Sequence, residues 1–270
     1  MGIVFITIPG EAKRAFANAL HERTDGNVDL IIIQKPKQTN CIASLLRLSK
    51  TVGWLNLPRE LWHGLLLRID GTREALEYFR AHTPPEPGEY TPPFIEVDSV
   101  NSDKVYELLK RISPDLLVIW GSTVLEDRIL KTAKKAINLH LGYCPHYRGA
   151  LANQHAVSRG DFSRIGATIH YVEKKVDAGE ILAVVPADHQ RSPREVFRDL
   201  NDRVMAQYLD IATRLHRGEH IPGVPQDTSR AENFLLKHWT PSMRHRVGQK
   251  ILAWERAFIE ENSGDPVLAP

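Results

Sequence analysis

The chain has 270 residues, 42% hydrophobic and 25% charged, with a formal net charge of +2. It is long enough for one large or two small domains and has an ordinary globular composition, but it is too near neutral to argue for nucleic acid or membrane binding. Its two cysteines, Cys41 and Cys144, lie far apart, so no disulfide framework or cysteine-type zinc site is indicated, and a reducing, cytoplasmic setting is expected.

The opening MGIVFITIPG lacks the basic segment of a signal peptide, and Ile6 stands where a myristoylation motif requires Ser or Thr. No apolar run reaches the roughly 18 residues of a membrane span. Residues 3–8 read as a buried strand, 11–21 as a helix and 28–33 as a second buried strand, which together suggest a parallel βαβ unit. Pro9-Gly10 between the first two offers one glycine and no phosphate cradle.

Residues 35–80 form a helical insertion in which leucines, Trp54 and Trp62 alternate with Lys and Arg. It reads either as a basic amphipathic surface for a membrane or partner, or as a helical hairpin broken near Gly53 and Pro58 and packed on the core. Leu and Trp at helical spacing favour the packed hairpin. His63 and His82 read as structural or solvated. The five prolines of residues 83–93 make a loop. A short strand is expected at 94–97, a helix capped by Ser102, the central strand LLVIW at 116–120 and a helix at 125–132. Further strands are expected at 137–140, 167–172 and 181–185, and helices at 151–159, from Ser192 to about His216, and at 238–261. The tail 262–270 reads as disordered.

Three polar residues organise the middle of the chain. Asn138 and His140 share one face of a strand by alternation, and Asp177 sits in a turn where Gly179 permits tight bending. Asn can stabilise an oxyanion, His can donate to it or shuttle a proton, and Asp can orient and charge the His. An Asn-x-His pair is also commonplace, and a turn Asp is often only that. No Ser or Cys nucleophile paired with a base is evident, so direct transfer fits better than a covalent intermediate. The carboxyl ends of strands 116–120, 137–140 and 167–172 are expected to meet at one crevice.

Asn138-Leu139-His140, Tyr147-Arg148-Gly149, Gly166-Ala167-Thr168-Ile169-His170 and Asp177-Ala178-Gly179 occur in this order. In this they resemble the core of the folate-dependent formyltransferase family, which includes glycinamide ribonucleotide transformylase and methionyl-tRNA formyltransferase. Leu141 departs from the Pro usual after the His. The resemblance spans about residues 115–233. It implies a Rossmann-like α/β fold, an open and mostly parallel twisted sheet with helices on both faces. The catalytic domain would cover 1–230 and a helical extension 231–270.

The resemblance further implies transfer of a formyl group from 10-formyltetrahydrofolate to a primary amine, with no metal. Asn138 and protonated His140 would stabilise the oxyanion, and Asp177 would keep His140 charged and relay the amine proton. The co-substrate would lie against Ser122, Thr123, Val124 and Leu125, with Thr168, His170, Val176 and Gly179 completing its pocket; Ser122 reads equally as a helix cap. Tyr147, Arg148, Gly149, Asn153 and Gln154 are candidates for the acceptor side, although residues 153–155 read equally as a polar helix face. The expected acceptor is a small-molecule amine, foremost a nucleotide-linked amino sugar, with an amino-acid-derived amine of hydroxyornithine type as the alternative. A non-catalytic metabolite-binding relative is the rival of a different class. Only some forty residues follow Asp227, which together with the charge argues against tRNA. A homodimer is compatible with this reading, whereas nucleic-acid or membrane partners are not expected.

Overall fold

A computed structural model describes residues 2–37, 40–86, 88–229 and 231–263. In chain order the elements are β1 (Ile3–Thr7), α1 (Glu11–Arg23), β2 (Val28–Gln34), α2 (Cys41–Val52), α3 (Leu57–Leu66), α4 (Thr72–Leu76), β3 (Phe94–Val97), α5 (Asp103–Ile112) and β4 (Leu116–Trp120). There follow α6 (Asp127–Leu130), β5 (Lys135–His140), β6 (Tyr147–Gly149), α7 (Ala152–Arg159), β7 (Gly166–Tyr171), β8 (Ile181–Pro186), α8 (Pro193–His216), β9 (Glu232–Phe234) and α9 (Pro241–Ser263). Residues 264–270 of the expected tail lie outside the described residues, while Asn262 and Ser263 close α9.

Seven strands form one sheet in the order β3-β2-β1-β4-β5-β7-β8. β1 and β4 are buried along their whole length, as central parallel strands covered on both faces must be. Phe16, Ala17 and Leu20 of α1 cover one face, and Phe16 stacks on Tyr208 of α8 at 5.1 Å. Val105 and Leu109 of α5 belong to the second core, with Val4, Ile6, Leu117 and Ile119. The Tyr208 hydroxyl lies 2.9 Å from both Ile119 N and O and 3.0 Å from Ile137 O. It therefore clips β4 to β5 one residue before Asn138.

Two expectations change here. β7 runs antiparallel to β5, with Asn138 opposite His170 and His140 opposite Thr168, so Thr168, which faces the end of β5, is in the body of β7, and His170 lies one residue from its carboxyl end. The expected helix over 125–132 shortens to α6, because the Asn101 side chain holds the preceding loop extended. Its amide donates to Val124 O and accepts from Glu126 N, each at 2.9 Å. Ser122 consequently caps no helix; its hydroxyl donates to Thr123 O.

The insertion is helical and breaks at Gly53, as expected, but it is not buried as a packed hairpin. α3 and α4 rest on α9, with Leu57, Glu60 and Leu67 buried, and Glu60 accepts from Ser242 N at 2.8 Å and Ser242 Oγ at 2.6 Å. His63 Nδ1 lies 3.1 Å from His245 Nδ1, and His245 Nε2 lies 2.6 Å from Asp70. Trp54, Leu55 and Trp62 are 65%, 97% and 58% exposed. α9 supplies one apolar partner surface, and helical spacing alone could not reveal that the other faces have none.

Candidate active site

Asp177 is the hub. It sits at φ 45°, a left-handed conformation that Asp tolerates better than most residues. The turn also needs Gly179, where a Cβ would lie 1.9 Å from Tyr171 O. Of the Asp177 oxygens, Oδ2 accepts from Gly149 N at 2.9 Å and faces His140 Nδ1 at 3.3 Å, while Oδ1 faces His170 Nε2 and Asn138 Nδ2, each at 3.3 Å. Burial raises the pKa of this carboxyl, but His140, His170 and the Gly149 amide outweigh that and hold it well below the usual carboxylate range.

Each imidazole lies between a main-chain carbonyl and the Asp177 carboxylate. His140 is buried between Asp177 and Tyr147 O, the latter 2.9 Å from its Nε2. Both neighbours are acceptors, so only a ring with hydrogen on both nitrogens satisfies them. His170, 2% exposed, has Nδ1 2.7 Å from Tyr171 O and Nε2 3.2 Å from Asn138 Nδ2. Its Nε2 also faces Asp177 Oδ1 at 3.3 Å, an oxygen to which it can donate.

Asn138 remains half-buried. The triangle Asn138 Nδ2, His170 Nε2 and Asp177 Oδ1 has sides of 3.2, 3.3 and 3.3 Å, so the His170 and Asp177 atoms subtend about 60° at Nδ2. The two N–H bonds of a planar amide diverge by about 120°. One N–H directed at Asp177 Oδ1 leaves the other, turned away from both atoms, for a ligand.

The other candidates divide. Arg148 is buried, its Nη1 donates to Val176 O at 3.2 Å and its Nε is unpaired among the described residues. Thr123 binds Gln34 Oε1 through N and Oγ1 at 3.1 and 3.0 Å. Val124 is exposed, and among the described residues the N–H groups of Val124 and Leu125 meet no acceptor. Three side chains are committed to the fold instead. Thr168 Oγ1 donates to Gly142 O and accepts from Cys144 N. Asn153 pairs in both directions with the main chain of Gly166. The Tyr147 hydroxyl donates to Asp161 at 2.9 Å and its ring stacks on Phe234. Gln154 is half-buried beside Asn153.

Sequence reasoning assigned no part to Tyr147 O as the second partner of His140, and it placed His170 in the co-substrate pocket, not against Asp177. It also missed the pairing of β9 with β6, which holds Gly149 at the site. The i, i+2 pair Thr168 and His170 on one face of β7 was the available signal for the second imidazole. Burial and the adjacent Asp177 push the Cys144 thiol up to about 12, so it stays protonated at neutral pH and offers no nucleophile.

The family described as formyl transferase matches residues 72–209. That is 138 of the 270 residues, just over half. The chain belongs to the formyl transferase family. A methionyl-tRNA formyltransferase from Levilactobacillus brevis is 37% identical over 122 residues, 44% of this chain and 38% of that protein. The chain spans about half the length, or less, of the curated relatives it matches. Among solved structures, a sugar N-formyltransferase from a Shewanella species matches with a TM-score of 0.55 at 15% identity, covering 93% of this chain and 88% of that one. A glycinamide ribonucleotide transformylase from Symbiobacterium toebii gives 0.51 at 17% identity, covering 84% and 95%. At these identities the structural likeness speaks for the shared formyltransferase fold. The family match begins after α3, so β1, β2 and most of the insertion lie outside it.

Proposed function

We propose that the chain is an N-formyltransferase that moves a formyl group from 10-formyltetrahydrofolate to a primary amine of a small molecule, foremost a nucleotide-linked amino sugar. The observation that carries this is the Asn138 amide, anchored by one N–H to Asp177 Oδ1 beside His170, with its second N–H left over. The loop 122–125, with the open N–H groups of Val124 and Leu125 at the end of β4, suits the amide edge of a pterin. When bound, 10-formyltetrahydrofolate supplies the formyl group. Asn138 directs its remaining N–H at the formyl oxygen as negative charge develops. His140, held between Tyr147 O and Asp177, keeps a positive charge beside that point.

A carboxylate held as low as Asp177 is a weak base. The proton shed by the attacking amine is therefore assigned to solvent, through water at Asp177. Residues 1–230 form most of the proposed catalytic unit; β9, just after them, completes it against β6, and α9 follows as a helical extension. The net charge of +2 lends no support to a nucleic-acid acceptor.

The test is a panel of amines offered with 10-formyltetrahydrofolate: nucleotide-linked 4-amino sugars, hydroxyornithine, glycinamide ribonucleotide and methionyl-tRNA. Tetrahydrofolate release is followed by absorbance and the products by mass. Preference for an amino sugar is expected. Preference for glycinamide ribonucleotide or charged tRNA would replace the acceptor, and tight folate binding with no transfer to any amine would make the chain a binding protein.

A further inference from the structure

The insertion turns large apolar side chains to solvent along both of its longer helices. Ile42, Leu45 and Leu46 follow the i, i+3, i+4 spacing of one α2 face, and all three are exposed. Trp54 and Leu55 stand out from the link between the helices. On α3, Leu61 and Leu65 lie one turn apart and are exposed, and Trp62 stands on the side away from the buried Leu57 and Glu60. Monomer surfaces carry such residues singly, and a concentration of them marks an interaction site.

The charges in the same segment have one sign. Arg47, Lys50, Arg59 and Arg68 are exposed, and none forms an ion pair with a carboxylate among the described residues. The single acid between residues 41 and 69 is Glu60, and it is turned inward onto Ser242. Contacts of α3 and α4 with α9 brace this base.

We propose that the exposed face of α2 and α3 docks in the headgroup region of an anionic lipid bilayer. Trp, Leu and Ile interleaved with cations, and with no outward-facing acid, are the side chains of an interfacial helix pair. The cations complement anionic headgroups. A second copy of the chain is a poorer occupant, because a two-fold contact sets the same patch against itself and would oppose four unpaired cations to four. No helix among the described residues is long and apolar enough to cross a membrane, so the contact is peripheral. This inference does not depend on the proposed acceptor or on formyl transfer.

The test is co-sedimentation of the full chain with vesicles of phosphatidylcholine alone and of phosphatidylcholine with phosphatidylglycerol. Binding is expected on the anionic vesicles and should be at least about tenfold weaker on the neutral ones. The triple variant Trp54→Ser, Leu55→Ser, Trp62→Ser should lose at least about tenfold in partitioning with an unchanged circular dichroism spectrum. Arg47→Gln with Lys50→Gln leaves the apolar face intact and should cost roughly fivefold per cation on anionic vesicles, which keeps the proposal testable if the triple variant misfolds. Failure of the parent chain to sediment with anionic vesicles overturns the proposal. So does sedimentation undiminished in both variants, or a parent dimer that binds no vesicles and is abolished by the triple variant.

Discussion

Asp177→Asn isolates the charge at the hub without disturbing the turn, because Asn tolerates the left-handed conformation found there. The carboxylate faces four donors, with Gly149 N and His140 on Oδ2 and His170 and Asn138 on Oδ1. An amide has one oxygen. Keeping that oxygen toward Gly149 and His140 sets the new NH2 against the Asn138 amide, donor against donor, and both imidazoles lose their counter-charge. Two charge-assisted bonds at about 1.5 kcal/mol each amount to about 3 kcal/mol, or roughly two decades of rate. The assay is single-turnover formyl transfer at saturating folate, with denaturant unfolding in parallel. Because the folded-state pKa of Asp177 is depressed, its stabilising contribution is present above the ordinary carboxylate range and is lost as pH falls through the folded value. The variant should lack that acid-side loss. Turnover within a few-fold of the parent, together with an unchanged acid limb, would refute the reasoning.

Asn138→Ala should lower turnover by roughly two to three orders of magnitude, the usual loss for an oxyanion donor, with folate affinity little changed in titration calorimetry. Gly142→Ala would place a Cβ 2.3 Å from both His140 Nε2 and Ala152 Cβ, so the loop must shift. Chemical denaturation should show a loss of about 1–3 kcal/mol. Burial, with Arg159 adding to it, holds His155 down to about 4. The unfolded chain takes up that proton first, so stability should decline from about pH 6.5 to pH 4, by about 2 kcal/mol; His155→Leu should flatten this limb in urea melts taken across that range.

The central strands were legible because parallel strands buried on both faces are unbroken apolar runs, and residues 116–120 match β4 residue for residue. Helix starts with local side-chain signals were legible too. Ser102 accepts from Val105 N, and Pro193 opens α8. What escaped depends on distant partners. Nothing near Leu125 shows that Asn101 holds residues 124–126 extended. Likewise, alternation in β7 marks which residues share a face but not the direction in which the strand enters the sheet.

That direction decides the chemistry of the site. His170 lies one residue from the carboxyl end of β7. In the antiparallel register it stands directly opposite Asn138, and the turn after β7 carries Asp177 back between His170 and His140. Asn138, His140 and Asp177 were each recognisable as polar residues at a strand end or turn. The division of labour among them was not, since it depends on what fills the second nitrogen of each ring. Tyr147 O occupies His140 Nε2, which withdraws that imidazole from direct contact with a ligand and leaves it to supply charge. In the proposed reaction the donor aimed at the reacting oxygen is therefore the Asn138 amide. Removing His140 should consequently harm the rate through the electrostatics and geometry of Asp177, and Asn138 should be the side chain whose loss is felt first by an oxyanion-mimicking inhibitor.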